Sequence, residues 1–162
     1  MGVEIERKYL VADPGVVGGR TGVRIAQGYL AVDPERTVRV RIAGPHAYLT
    51  VKGITSADGT SRDEFEYEIP FHDAEQMLDR VALKPCIEKT RYRVMVGATA
   101  WDIDVFGGAN RGLVVAEVEL PSRSTEVELP EWVGREVTGD PRYYNANLVR
   151  RPYSHWNEPG PG

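Results

Sequence analysis

The strongest constraint in this chain is an alternation of period two whose polar positions are mostly full charges. Glu4, Glu6 and Lys8 alternate with Val3, Ile5 and Tyr9, and Arg39 and Arg41 with Val38, Val40 and Ile42. Lys52 follows Leu49 and Val51, while Glu64, Glu66 and Glu68 alternate with Phe65, Tyr67 and Ile69. Lys89, Arg91 and Arg93 oppose Tyr92 and Val94. Asp102 and Asp104 alternate with Trp101, Ile103 and Val105, and Glu117 and Glu119 with Ala116, Val118 and Leu120. Period two is the signature of a strand with two unlike faces. It places strands near 3–12, 22–31, 36–43, 46–53, 62–70, 86–97, 100–106 and 113–120. Turn residues separate them at Asp33-Pro34, Ala43-Gly44-Pro45, Ala57-Asp58-Gly59 and Gly107–Asn110.

A one-sided sheet in water also alternates, but its wet face mixes Ser, Thr, Asn and Gln with its charges. Here the signs segregate by strand: 39–52 and 89–93 are basic, and 64–68, 102–104 and 117–119 are acidic. Such sorting points to ligands of both signs. Eight antiparallel strands can close into a barrel with room for one small ligand. With the charged faces turned inward the expected fold is α+β, an eight-stranded antiparallel β-barrel with a charged interior and a few covering helices. The apolar faces then need cover from outside. A helix near 73–81, opened by His72 or Asp73 and striped by Ala74, Met77, Leu78 and Val81, supplies some of it. A short helix from Pro130, burying Trp132 and Val133, and another over 141–150, with Tyr144 and Leu148 on one face, supply the rest. A second subunit against strands such as 101–105 is the alternative cover, which makes a homodimer one expectation.

A chain of 162 residues suits one domain. We assign residues 1–150 to it and read 151–162, with Pro152, Pro159, Gly160, Pro161 and Gly162, as a flexible tail. A net charge of −4 argues against nucleic acid as a partner. No apolar run is long enough to cross a membrane. Cys86 is the single cysteine and no basic, apolar leader opens the chain, so the expected setting is cytoplasmic. His46, His72 and His155 fall at a turn, a helix start and the tail, and read as surface residues.

Carboxylates two apart on a strand project the same way, about 7 Å apart by strand rise. Glu4 with Glu6, and Glu117 with Glu119, are such pairs, and Asp102 and Asp104 add to them. Hard cations such as Mg²⁺ or Mn²⁺ favour these oxygens. Arg39, Arg41, Lys52, Lys89, Arg91 and Arg93 suit polyphosphate, which guanidinium groups grip with a planar fork. A metal bridging phosphate and carboxylate explains both signs in one cavity.

Glu4-Ile5-Glu6-Arg7-Lys8 resembles the N-terminal Glu-x-Glu-x-Lys signature of the CYTH domain, or triphosphate tunnel metalloenzyme, superfamily. Arg39-Val40-Arg41, the Thr-Val-Lys-Gly strand with Lys52, the stretch Arg62 to Ile69, Ile87 to Tyr92, Trp101 to Asp104 and Ala116 to Leu120 follow in the family's order. The resemblance spans residues 3 to 150. It implies a tunnel holding Mg²⁺ or Mn²⁺ and a triphosphate-containing small molecule. Its implied activity is metal-dependent hydrolysis of inorganic tripolyphosphate to pyrophosphate and phosphate, as in the short bacterial members. Nucleoside or thiamine triphosphatase, adenylate cyclase and a non-catalytic polyphosphate or nucleotide binder stay open. Lys8 and Tyr29 match the family's catalytic lysine and tyrosine, with Gly28 as the expected site of a bulge that turns Tyr29 inward. The expected phosphate ligands are Lys8, Arg39, Arg41, Lys52, Lys89 and Arg91. The expected metal ligands are Glu4, Glu6, Asp104, Glu117 and Glu119, with Glu64 and Glu66 as further tunnel acids. Arg7 is expected to face outward.

Overall fold

The computed structural model describes residues 2–156. All eight expected strands form: β1 (Gly2–Val11), β2 (Val23–Asp33), β3 (Arg36–Ala43), β4 (His46–Lys52), β5 (Ser61–Glu68), β6 (Ile87–Val96), β7 (Thr99–Phe106) and β8 (Val114–Glu119). Hydrogen-bonded neighbours run β5-β4-β3-β2-β6-β7-β8-β1, and a β1–β5 pairing closes the ring. Every pairing is antiparallel.

Register decides which face looks inward, because residues opposite one another across a ladder share a face. Lys8 lies opposite Glu117, Arg91 opposite Asp104, Arg93 and Glu117 opposite Asp102, and Lys52 opposite Glu64. The charged faces thus meet inside the ring, as the alternation requires.

The sequence does not announce a ninth strand, β9 (Val133–Glu136). A helix from Pro130 was the expectation. The chain instead makes a turn in which the Val133 N–H donates to the Pro130 carbonyl, then runs extended along β1. The reason is an edge left open. β5 leaves β1 after Ile5, and β9 takes over the same edge from Tyr9 to Val11. Unpaired strand edges recruit backbone partners, and here that demand overrides local helical preference. Between the two partners, loop backbone seals the seam. The Glu6 N–H donates to the Thr60 carbonyl and the Lys8 N–H to Thr138 Oγ1, at 2.8 and 2.9 Å. The loops themselves meet at Gly59 and Gly139: a Cβ on Gly59 would fall 2.3 Å from Gly139 Cα.

Three apolar clusters support the barrel, two outside its wall and one at its end. Helix α1 (Phe71–Arg80) lays Ala74, Met77 and Leu78 on Val40, Ala47 and Leu49 of β3 and β4. Val81 caps its C-terminus and is exposed rather than part of the stripe. On the opposite wall Tyr9, Trp101, Ile103 and Val118 are covered by Val127, Trp132 and Val133. The outer face of 101–105 is therefore covered within the chain. The third cluster joins Ile87, Phe106 and Val115, which share the inner face, to Leu148 and Val149 of helix α2 (Asn145–Arg150). Thus α2 stoppers one end of the barrel instead of covering its side. Tyr144 and Leu148 divide their roles: Leu148 is in this cluster, whereas Tyr144 borders the charged cavity. Of the segment expected to be a loose tail, Pro152 is buried and Tyr153 and Trp156 pack on the same cluster. Residues 157–162 lie outside the described residues.

The β2 irregularity also differs from expectation. The register shift falls between Tyr29 and Ala31, after the tyrosine, and Gln27 and Tyr29 already alternate inward opposite Arg41 and Arg39. Gly28 serves close packing instead. A Cβ there would sit 2.8 Å from Ala82 Cβ and 2.9 Å from Leu78 Cδ2. Gly28→Ala is expected to destabilise the fold by about 1–3 kcal/mol through overpacking. Denaturant unfolding checks this, and an unchanged midpoint would contradict it.

Candidate active site

The inward faces enclose a cavity of about 180 Å³. Its wall includes Glu4, Glu6 and Lys8 from β1, Tyr29 from β2, Arg39 and Arg41 from β3, Lys52 from β4, Glu64 and Glu66 from β5, Lys89 and Arg91 from β6, and Glu117 and Glu119 from β8. Of the expected site residues only Asp104 stands behind this lining. Arg62, Asp102, Thr138, Tyr144 and Asn145 join it. The outward expectation for Arg7 fits its ion pair with Glu136 at 3.4 Å.

Removing so many charges from water is costly unless each is partnered, and the partnering is systematic. Asp104, 1% exposed, takes Lys89 at 2.8 Å and Arg91 at 2.7 Å, so both its oxygens are engaged. Asp104, expected as a metal ligand, here orients two cations. Glu66 receives Arg39 and Arg41 at 3.4 and 3.5 Å and the Thr50 hydroxyl at 2.7 Å. Lys52 contacts Glu4 at 2.8 Å and Glu64 at 3.3 Å. Glu117 stands 3.6 Å from Lys8 and 3.8 Å from Arg91. Lys8 Nζ also donates to the Tyr143 carbonyl at 3.3 Å and lies 5.9 Å from the centre of the Tyr144 ring.

These neighbours set the protonation states. Burial works against the charge of Lys8, yet Glu117, Glu6 and Asp104 raise its pKa above the ordinary lysine value. Burial would lift Glu4, but Lys52, Arg62 and Arg39 hold it down to about 2. Burial pulls Lys89 down to about 8 despite Asp104. Burial, followed by repulsion from Arg39 and Arg91, brings Arg41 down to about 10.

Glu6 departs from the pairing. Burial, then the carboxylates of Glu117 and Glu4, push it up to about 8, and no hydrogen bond offsets them. Glu119 lies directly opposite it on β8. A buried carboxylate beside others and without its own cation has the donor chemistry of a hard-cation site. Among the described residues no three acidic, histidine or cysteine side chains are gathered tightly enough to enclose an ion by themselves.

Comparison with known proteins agrees with this geometry. The family model described as "CYTH domain" matches residues 2–153. An inorganic triphosphatase of Acetivibrio thermocellus is 46% identical over 158 residues, covering 98% of this chain and 100% of that protein. An inorganic triphosphatase of Nitrosomonas europaea is 35% identical over 151 residues, 90% of this chain and 96% of its own. The crystal structure of an inorganic triphosphatase superposes with a TM-score of 0.64 at 34% identity, covering 90% of this chain and 96% of that one. A Pyrococcus horikoshii protein at 18% identity shares the fold, with a TM-score of 0.54 over 74% of this chain and 79% of that one.

The unpaired carboxylate yields a pH prediction for metal-free protein. A folded pKa of about 8 for Glu6 exceeds its ordinary value of 4.5. The folded state therefore holds the proton more tightly, and that contribution to stability is complete below 4.5 and lost as pH rises through about 8. In EDTA the thermal midpoint is expected to fall between pH 5 and 8, less steeply in Glu6→Gln. Parallel profiles for the two proteins would contradict the assignment.

Proposed function

This chain belongs to the CYTH domain family, and from that membership and the cavity's chemistry we infer that it is a triphosphatase, a hydrolase of phosphoanhydride bonds. We propose inorganic tripolyphosphate as its substrate, split by water into pyrophosphate and phosphate. The observation that carries this is a lining in which most cations are braced by carboxylates, beside Glu6, a buried carboxylate with no cation of its own. The relatives described above as inorganic triphosphatases support it. So does the size of the cavity, about 180 Å³. That is below the roughly 300–1,000 Å³ of clefts that take drug-sized organic ligands, and it suits a compact anion without a base or ring.

Family membership implies a divalent cation, for which we propose Mg²⁺ or Mn²⁺. Glu6 would hold it, with Glu4 and Glu119 nearest in the strand pattern and Glu117 adjoining. Such an ion, when bound, neutralises charge on phosphate oxygens and acidifies a coordinated water. The remaining work falls to the chain's own side chains. Arg39 and Arg41 present guanidinium groups braced by Glu66, and Lys89 and Arg91 present charges braced by Asp104. Braced donors need not reorganise as charge shifts in the transition state, which is what stabilisation of phosphoryl transfer demands. Lys52 adds a further charge, exchanging its contacts with Glu4 and Glu64 for phosphate oxygens. Lys8, kept protonated by Glu117, places a positive charge against the phosphate under attack.

Purified protein supplied with tripolyphosphate is expected to release phosphate with Mg²⁺ or Mn²⁺ and to stop with EDTA. Glu6→Gln should abolish turnover. Arg41→Ala should lower kcat/KM roughly ten- to a hundredfold, the worth of one hydrogen bond from a charged group. Turnover that survives EDTA, or a Glu6→Gln protein with undiminished rate, would overturn the reading.

A further inference from the structure

Two amides outside the charged alternation link donors on the neighbouring strands β2 and β6. Gln27, on β2, is fully buried. Asn145 is the first residue of α2 and borders the cavity. Lys89 Nζ donates to Asn145 Oδ1 at 3.2 Å. Gln27 Nε2 donates to that same oxygen at 3.2 Å and to Tyr29 Oη at 3.4 Å.

The direction of this chain is fixed from its lysine end. An ammonium group has donors and no acceptor, so the Asn145 atom that faces it is the oxygen. An oxygen in turn needs a donor from Gln27, so the Gln27 atom that faces it is the nitrogen. That nitrogen gives its other N–H to Tyr29, whose oxygen therefore accepts. Turning Asn145 over would set its N–H groups against the ammonium. Turning Gln27 over would set oxygen against oxygen. The present orientation leaves Gln27 Oε1 without a partner among the described residues, so the buried amide is held this way by its two donations alone. With its lone pair engaged by Gln27, the Tyr29 hydroxyl has its proton free, and Tyr29 lines the cavity.

We propose that Lys89, Asn145 and Gln27 form a directional hydrogen-bond relay that makes Tyr29 a donor to a phosphate oxygen of the substrate. Gln27 and Asn145 are its positioning residues. The inference rests on the triphosphatase reading above and deepens it. It gives Tyr29 the part of a hydrogen-bond donor rather than of a group that takes the proton of the attacking water. It also makes α2 part of the site, since the residue that stoppers the barrel end with Leu148 is three positions from the amide that sets the relay.

A double-mutant cycle on tripolyphosphate turnover tests it. Tyr29→Phe is expected to lower kcat roughly tenfold, the worth of one hydrogen bond to a charged group, with KM moving less. Gln27→Met, which keeps the length of the side chain without its donors, should cost a similar factor alone but less than about twofold in the Tyr29→Phe background. Asn145→Ala lies outside the buried wall and serves if Gln27→Met does not fold. Its effect should shrink in the Tyr29→Phe background without vanishing, because its contact with Lys89 persists. The proposal is overturned if Gln27→Met and Asn145→Ala each cost the same factor with and without the Tyr29 hydroxyl. Should the wild-type protein not turn tripolyphosphate over, the functional reading falls, and the same cycle measured in tripolyphosphate affinity still decides the relay.

Discussion

Most charges inside this barrel are drawn largely out of bulk water, and the fold holds only because strand register delivers a counter-charge to nearly all of them. Lys89 and Arg91 meet Asp104, Lys52 meets Glu4 and Glu64, and Arg39 and Arg41 meet Glu66. Breaking one partner of such a pair leaves an uncompensated buried charge, which is far more damaging than the pair was favourable. A slip of one residue in any ladder would turn the whole charged face outward and the apolar face in. The apolar clusters pin that register. They sit outside the wall under α1 and under the 127–133 segment, and at the barrel end under α2.

The pairing also explains how a site can be both stable and receptive. The acidic residues do two different jobs that look alike in sequence. Asp104 and Glu66 are braces: both oxygens of Asp104 and Oε2 of Glu66 are engaged, and they aim cations into the cavity. Glu6 has no cation of its own and is repelled by its neighbours, so it gains most from an added positive ion. Phosphate and metal would then complete the same electrostatic arrangement from opposite sides. The anion satisfies the braced cations, and the ion satisfies the unbraced carboxylate.

Much of this was legible in the sequence, because alternation with full charges has few other meanings. The eight strands, the inward faces and the Glu4-Ile5-Glu6-Arg7-Lys8 segment could all be read from period and spacing. Alternation gives the face a residue occupies but not the partner it meets, so the two cations on Asp104 could not be read before its register opposite Arg91 was known. β9 carries too short a pattern to declare itself, and it exists because β1 has an open edge to fill. Gln27 and Asn145 were invisible for another reason. A neutral amide in a strand or at a helix start carries no periodic signal, and its importance lies wholly in which atoms surround it. The one signal available was that Gln27 shares the inward face with Tyr29, two positions away.

The central claim is that a metal ion joins the unpaired carboxylate while the braced cations take the phosphates. Crystals grown with Mn²⁺ and a slowly hydrolysed tripolyphosphate analogue would test it through the anomalous scattering of manganese. The account predicts a peak beside Glu6, with phosphate oxygens on Arg39, Arg41, Lys89 and Arg91 and with Asp104 still bound to its two cations. A metal peak on Asp104, or an anion bound outside the barrel, would contradict it.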